Sequence, residues 1–314
     1  MSEIQLPPLI AIVGPTGVGK TTISISLAAR LNAEIVSADS RQVYRKMPIG
    51  TARPTDHELA TIPHHLVAYL DPDDELTLAT YQASAYEKIN DIHSRGKLPM
   101  LVGGTGQYAR SVLEGWGVPE VPPDPVIRSE LEAFADEHGP ELLHTRLASV
   151  DPVAATAIDY RNIRRVVRAL EVHAVTGKPI STLQKLSPPP YRILWIGLTL
   201  PRPLLYDRVD RRIDAMLEEG LVDEVKRLIT DGYAWNLPSM TSLGYGQISS
   251  YLRGESTLPE AVALIRKATR RFIRSQYNWF RLRDPRITWF DLSESDVETI
   301  YQAIFEWLMD DSSQ

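Results

Sequence analysis

The stretch "GPTGVGKTT", residues 14–22, decides the fold. It follows the apolar run "LIAIV" (Leu9 to Val13) and leads into "TTISISLAARL", whose apolar residues recur at helical spacing. Gly14, Gly19, Lys20 and Thr21 fit the pattern G-x-x-x-x-G-K-[ST], and the strand before and helix after are the context that pattern needs. Glycines let backbone N–H groups wrap a phosphate, the helix N-terminus adds partial positive charge, Lys20 adds a full one, and the Thr21 hydroxyl suits Mg²⁺. The segment Gly14, Pro15, Thr16, Gly17, Val18, Gly19, Lys20 and Thr21 is therefore the expected phosphate cradle. A tight turn with a chance Lys-Thr is the competing reading, and both flanks count against it.

Working outward, "AEIVS" (Ala33 to Ser37), a long helix ending near "HSRGK", and "LPMLVGG" continue the alternation of strand and helix. Such alternation implies an α/β fold, a P-loop NTPase-like parallel sheet flanked by helices. From Val118 the pattern changes to a Pro-rich entry and two or three short helices without a strand. This predicts a small all-helical insertion domain over 118–158, set into a core of 1–117 and 159–314. The helix "NIRRVVRALEVHAVTG", stopped at Gly177, and the strand "RILWIGLTL" resume the alternation, and mostly helices follow.

The 314 residues, 43% hydrophobic and 24% charged, suit one large domain carrying a smaller one. Cysteine is absent, which excludes disulfides, thiolate catalysis and Cys-based zinc sites. Glu3 stands where a cationic leader would need Lys or Arg, and no apolar run has membrane length, so a cytoplasmic protein with no membrane contact is expected. His64-His65 has no third ligand at suitable spacing, which favours a hydrogen-bonding role over a metal. The net charge of −6 conceals a basic stripe: Arg266, Lys267, Arg270, Arg271, Arg274, Arg281 and Arg283 fall between residues 264 and 283 with no acid among them. A local polyanion contact is the natural partner of such a stripe.

A phosphate loop does not name a reaction. An ATPase would end a later strand in an acid for Mg²⁺ and water, yet "PMLV" runs into "GGTGQY" without a carboxylate, and no Asn-Lys-x-Asp motif marks a guanine switch. The second strand instead leads to Asp39, a candidate general base at the edge where ligands bind in such folds, or a loop carboxylate satisfied by backbone. Arg161, Arg164, Arg165 and Arg168 share a face at helical spacing and suit an anion, or are a solvated face. Arg208, Arg211 and Arg212 have Asp207, Asp210 and Asp214 as possible intrahelical partners, which on spacing alone favours pairing. Phe272, Tyr277, Trp279 and Phe280 interleave with the C-terminal stripe; Arg with aromatics suits RNA, while Phe272, Trp279 and Phe280 facing the core is the better reading of the rings.

In order along the chain, "GPTGVGKTT", "ADSRQVYRKMPIGTARP", "HHLVAYLDP", "LVGGTGQY", "DYRNIRRVVRALEVHAVTGKP", "GLVDEV", "LGYGQ" and "RSQYNWFR" resemble the bacterial tRNA dimethylallyltransferases, with "DSRQVYR" and "IGTARP" the most diagnostic pieces. The resemblance implies transfer of a dimethylallyl group from dimethylallyl diphosphate to N6 of the adenosine 3′ of the anticodon. It implies Asp39 as base, Thr105 and Arg212 beside it in catalysis, and the cradle with Mg²⁺ on Thr21 holding the diphosphate. Asp39, Ser40, Arg41, Gln42, Thr105, Arg128 and the run Arg164, Arg165, Val166, Val167 and Arg168 are then tRNA contacts, joined by Arg270 and Arg274 of the stripe. The insertion would grip the anticodon stem-loop, and a monomer is expected. Two other readings stay open on the residues alone: a P-loop nucleoside or metabolite kinase with Asp39 as base, and an RNA-binding nucleotide switch.

Overall fold

Leu9, Ile10, Ala11, Ile12 and Val13 are all inaccessible to solvent, the burial that a continuous apolar run attains only between other strands and under helices on both faces. They form β1 (Pro8–Val13) of a computed structural model that describes residues 6–310; Glu3, on which the reading of the N-terminus rests, lies outside these. The chain continues through α1 (Lys20–Leu31), β2 (Ala33–Ser37), α2 (Asp56–Thr61), β3 (His64–His65), α3 (Leu78–Ser94), β4 (Leu98–Gly103) and α4 (Gly106–Leu113). Then come α5 (Pro125–His138), α6 (Pro140–Val150), α7 (Pro152–Ala157), α8 (Ile163–Thr176) and α9 (Ile180–Leu183). The last third holds β5 (Arg192–Thr199), α10 (Arg202–Glu218), α11 (Leu221–Thr230), α12 (Tyr245–Leu252), α13 (Leu258–Trp279), β6 (Ile287–Asp291) and α14 (Val297–Met309).

The described strands form one parallel sheet in the order β3-β2-β4-β1-β5-β6. This is the α/β architecture expected from the phosphate loop and its flanks. The reading of the C-terminal third as mostly helical omits β6. That strand pairs only with β5, and Ile287 and Phe290 are its only buried residues, so its sequence lacks the long apolar run of the central strands. Among the described residues no helix is long and apolar enough to cross a membrane. Glu34 of β2, 2% exposed, is satisfied by Arg95 at 2.6 and 2.7 Å, Lys97 at 2.7 Å and His65 at 2.8 Å. Arg95 above all holds its carboxyl far below the usual range. His65 thus serves this carboxylate and His64 the Ile62 carbonyl, the hydrogen-bonding role expected of the pair.

The chain divides into two units. One takes the residues up to Leu76, Gln82–Ala109 and those from Pro190 on, and includes the whole sheet. The other takes Thr77–Tyr81 and Arg110–Pro189, which corrects the boundary of 118–158. The reason is packing. Val166, Val167, Leu170 and Val172 of α8 share a core with Ala135 of α5 and with Leu143 and Leu147 of α6, so α8 is part of the helical unit rather than a return to the α/β core. Asp151 ties this unit locally, capping α7 through Ala154 N–H and accepting from the Ser181 amide and hydroxyl at 2.9 and 2.7 Å.

Candidate active site

Because the sheet is parallel, the loops leaving β1, β2 and β4 emerge on one edge, where ligands of open α/β sheets bind. After β1 the cradle turns at Gly14, where a Cβ would lie 2.4 Å from the Leu198 carbonyl oxygen. At Gly19 a left-handed φ of 110° starts α1 with no side-chain cap, which leaves its first amides to a ligand. Lys20 Nζ donates to the Gly14 and Pro15 carbonyls at 3.0 and 2.9 Å. Burial lowers the Lys20 ammonium to about 8, with Asp39 opposing the shift and Arg212 adding to it. The Thr21 hydroxyl makes no hydrogen bond among the described residues, and with phosphate oxygens and water it fits the oxygen ligation that Mg²⁺ requires.

After β2, Ala38 is held by Val102 on one side and by Thr105 N–H at 3.1 Å on the other. Gly103 allows this approach, since a Cβ there would come within 2.1 Å of the Ala38 oxygen. Asp39 follows. Its Oδ1 accepts from the Arg41 and Gln42 amides at 2.8 and 3.3 Å, while Oδ2 has no hydrogen bond among the described residues. Oδ1 thus fits the loop-carboxylate reading, and Oδ2 is left for the base reading. Thr105 Oγ1 accepts from Ser40 N–H at 3.0 Å, so the loops after β2 and β4 are locked together. Gln42 Nε2 donates to the Ala52 carbonyl at 3.0 Å, and Arg212 Nη2 reaches that oxygen only at 3.5 Å. Burial lowers the Arg212 guanidinium, and Asp39 opposes that shift. Arg41 leans away, donating to the Pro238 carbonyl at 3.0 Å. Beside Thr16 and Arg212 lies a cavity of about 80 Å³ whose apolar walls include Val209, Ile213, Leu221 and Ile265.

Several arginine assignments change. Asp210 and Asp214 of α10 pair with Arg270 and Arg266 of α13, not with their own helix. Arg208 instead donates to the Val18 carbonyl at 2.9 Å, and Arg212 is left close to Asp39. Arg270, expected on RNA, thus has an acidic partner; Lys267, Arg271 and Arg274 are exposed without an ion pair among the described residues. Phe272, expected in the core, is 42% exposed because it falls on the outer face of α13, whereas Phe280 is buried and Trp279 half-buried.

In the helical unit Glu171, fully buried on α8, accepts from Arg128 Nε and Nη2 at 2.8 and 3.0 Å, from Arg168 Nη1 at 2.6 Å and from the Asp124 amide at 2.7 Å. Arg128 and Arg168, expected at the RNA, both bind this buried carboxylate within the unit. Val166 and Val167, also expected there, are 0% and 3% exposed and their side chains fill the core of this unit. Arg161 precedes α8 and pairs with Asp159, which removes it from the shared face; Arg164 and Arg165 remain exposed.

Two groups escaped the sequence reading. Gln276 is buried on α13, with Oε1 accepting from Thr16 N–H at 2.9 Å and Nε2 donating to the Gly104 carbonyl at 2.9 Å. Glu224, buried on α11, accepts from the Ile49 and Gly50 amides at 2.9 and 3.0 Å and from the Tyr245 hydroxyl at 2.5 Å, which fixes the loop that offers Ala52. Both lie inside recurring pieces, "RSQYNWFR" and "GLVDEV", but a lone Gln or Glu in a helix has no chemical pattern of its own.

Residues 42–283 match the family model for IPP transferase. The tRNA dimethylallyltransferase of Roseiflexus castenholzii is 53% identical over 97% of this chain and 99% of its own. That of Chloroflexus aggregans is 55% identical over 87% and 92%. Among solved structures, the tRNA isopentenylpyrophosphate transferase of Bacillus halodurans has a TM-score of 0.72 at 43% identity, covering 97% of this chain and 98% of its own. A eukaryotic dimethylallyltransferase acting on tRNA reaches 0.80 at 29% identity, over 95% and 78%. With similarity of this degree from end to end, and with the cradle and the Asp39 loop on one sheet edge, the chain belongs to the tRNA dimethylallyltransferase family.

Proposed function

We propose that this protein transfers the dimethylallyl group of dimethylallyl diphosphate to N6 of the adenosine 3′-adjacent to the anticodon, position 37, in tRNAs reading UNN codons. The products are N6-isopentenyladenosine and pyrophosphate, and the enzyme acts in the cytoplasm as a monomer. The observation that carries the reading is the free Oδ2 of Asp39 on the edge shared with the phosphate cradle. In the reaction the N6–C1 bond forms, the C1–O bond breaks, and the N6 proton passes to Asp39. The adenine amine is a weak nucleophile because its lone pair is delocalised, so removing that proton as the bond forms favours attack. Lys20, Arg212 and the loop amides face the charge that builds on the departing pyrophosphate. Mg²⁺ held by Thr21 supplies further neutralisation of that leaving group when bound.

The apolar cavity beside Thr16 and Arg212 suits a five-carbon tail next to a diphosphate. Ser40, Arg41, Gln42 and Thr105 line the approach of the adenosine, which leaves the anticodon-loop stack at a cost of a few kcal/mol. Lys267, Arg271 and Arg274 on α13, and Arg164 and Arg165 on α8 of the helical unit, are the exposed cations suited to tRNA phosphates. The test is direct: protein, Mg²⁺, labelled dimethylallyl diphosphate and an anticodon stem-loop with three consecutive adenosines are incubated together. Label on the RNA supports the reading. Unlabelled RNA, with ATP consumed on a small-molecule acceptor, would replace it with a kinase.

A further inference from the structure

Gln276 lies where three loops of the α/β unit converge. The side chain is 4% exposed, and a buried amide must use both ends. Its oxygen takes the Thr16 amide of the cradle, and its nitrogen takes the Gly104 carbonyl of the loop after β4. A Cβ on Gly104 would lie 2.4 Å from that nitrogen and 3.3 Å from Lys20 Nζ, so the amide, the cradle lysine and the Gly104 backbone occupy one small volume. From Gly104 the connection runs to Thr105, whose hydroxyl accepts from Ser40 N–H, and Ser40 follows Asp39. One polar string therefore joins the cradle to the candidate base through α13.

We propose that Gln276 is a positioning residue: it sets the register of the diphosphate cradle against the Asp39 loop, acting through Thr16 and Gly104 without touching substrate. The inference rests on the function proposed above. Only a group that both accepts and donates fills this place. Leucine would leave the Thr16 N–H and the Gly104 oxygen unpaired. An ionised carboxylate would set an acceptor against the Gly104 oxygen and a negative charge beside the diphosphate, whereas a protonated carboxyl donates and accepts as the amide does.

The test uses the full chain with Gln276→Leu and Gln276→Glu, measuring pyrophosphate affinity by calorimetry, stem-loop affinity separately, and the rate of prenyl transfer. For Gln276→Leu we expect pyrophosphate binding about tenfold weaker, kcat lower by about 10- to 100-fold as for a misplaced reacting group, and stem-loop affinity within about twofold. For Gln276→Glu the ratio of its kcat to the wild-type kcat rises as pH falls from about 7 to 5.5 and the introduced carboxyl protonates. Normalised to the folded fraction measured at each pH, that rise is a readout which loss of stability does not produce, and it remains available if Gln276→Leu does not fold. Wild-type pyrophosphate affinity and kcat in Gln276→Leu, or a pH-independent ratio for Gln276→Glu, would overturn the proposal. A wild-type protein that binds pyrophosphate but prenylates no RNA would instead refute the function on which it rests, and the pyrophosphate affinities alone would then decide whether Gln276 shapes the cradle.

Discussion

Raising the pH should weaken diphosphate binding well before ordinary lysines titrate, because burial holds Lys20 near 8 where a free lysine sits at 10.5. A bound diphosphate places negative charge against Nζ and returns the proton to it. If only the charged form binds, the apparent Kd grows about tenfold by pH 9 and about 100-fold by pH 10, by proton linkage. Full return from about 8 to 10.5 corresponds to about 3.4 kcal/mol, at about 1.36 kcal/mol per unit. Pyrophosphate also loses its last proton in this alkaline range, a contribution common to wild type and variant, so the difference between the two profiles isolates Lys20. Lys20→Arg, charged throughout, should flatten the profile. The assay is calorimetric titration of pyrophosphate into wild type and variant at about pH 7, 8, 9 and 10 and fixed ionic strength. A wild-type Kd that stays flat to about pH 10, or an equal rise in Lys20→Arg, would refute the reasoning. For the free protein the same lowered value means that the unfolded chain binds the proton more tightly, so stability increases as pH passes from about 8 to 10.5.

Asp39→Asn should lower kcat by about 10²- to 10⁴-fold while leaving stem-loop affinity within about threefold, the size of a lost general base; weaker RNA binding with an intact chemical step would contradict the assignment. Replacing Lys267, Arg271 and Arg274 together by Ala should reduce the slope of log Kd against log salt for tRNA by up to about 0.9 for each phosphate contact removed. An unchanged slope would return that face to solvent. Glu171→Gln should destabilise the protein by about 3 kcal/mol in denaturant unfolding, because Arg128 and Arg168 lose their buried partner. Glu34, whose folded-state value is lowered chiefly by Arg95, contributes stability that is present above the ordinary carboxylate value of 4.5 and is lost as pH falls below it. The difference in thermal midpoint between wild type and Glu34→Gln should therefore shrink below about pH 4.5.

What could be read from the sequence was local. The cradle is contiguous, and its physics needs only a strand before and a helix after, so Gly14 to Thr21 were legible as a unit. Asp39 was legible because it follows the second strand directly. Charge partners were not, since helical spacing shows only neighbours on one helix: the Asp210–Arg270 pair spans 60 residues, and Glu171 collects Arg128 from 43 residues away. Arg168, by contrast, pairs with Glu171 three residues on in the same helix, a neighbour that helical spacing offered. The boundary of the helical unit was misplaced for a related reason, because the apolar side of α8 shows that it packs on something but not on what. Gln276 had no pattern to announce it; its role lies in two backbone atoms 260 and 172 residues away.

The strand order also has a metric consequence. β4 lies between β1 and β2, so the loop that receives the leaving group and the loop that carries Asp39 are two strand spacings apart, about 10 Å. In the reaction proposed above, that interval would be spanned by a loop-to-phosphate contact, the breaking and forming bonds at one carbon, and an amine-to-carboxylate hydrogen bond laid end to end. The sheet thereby works as a gauge block: substitutions can retune the loops at either end, but the separation of the cradle from the Asp39 loop is set by backbone ladders that no single side chain controls.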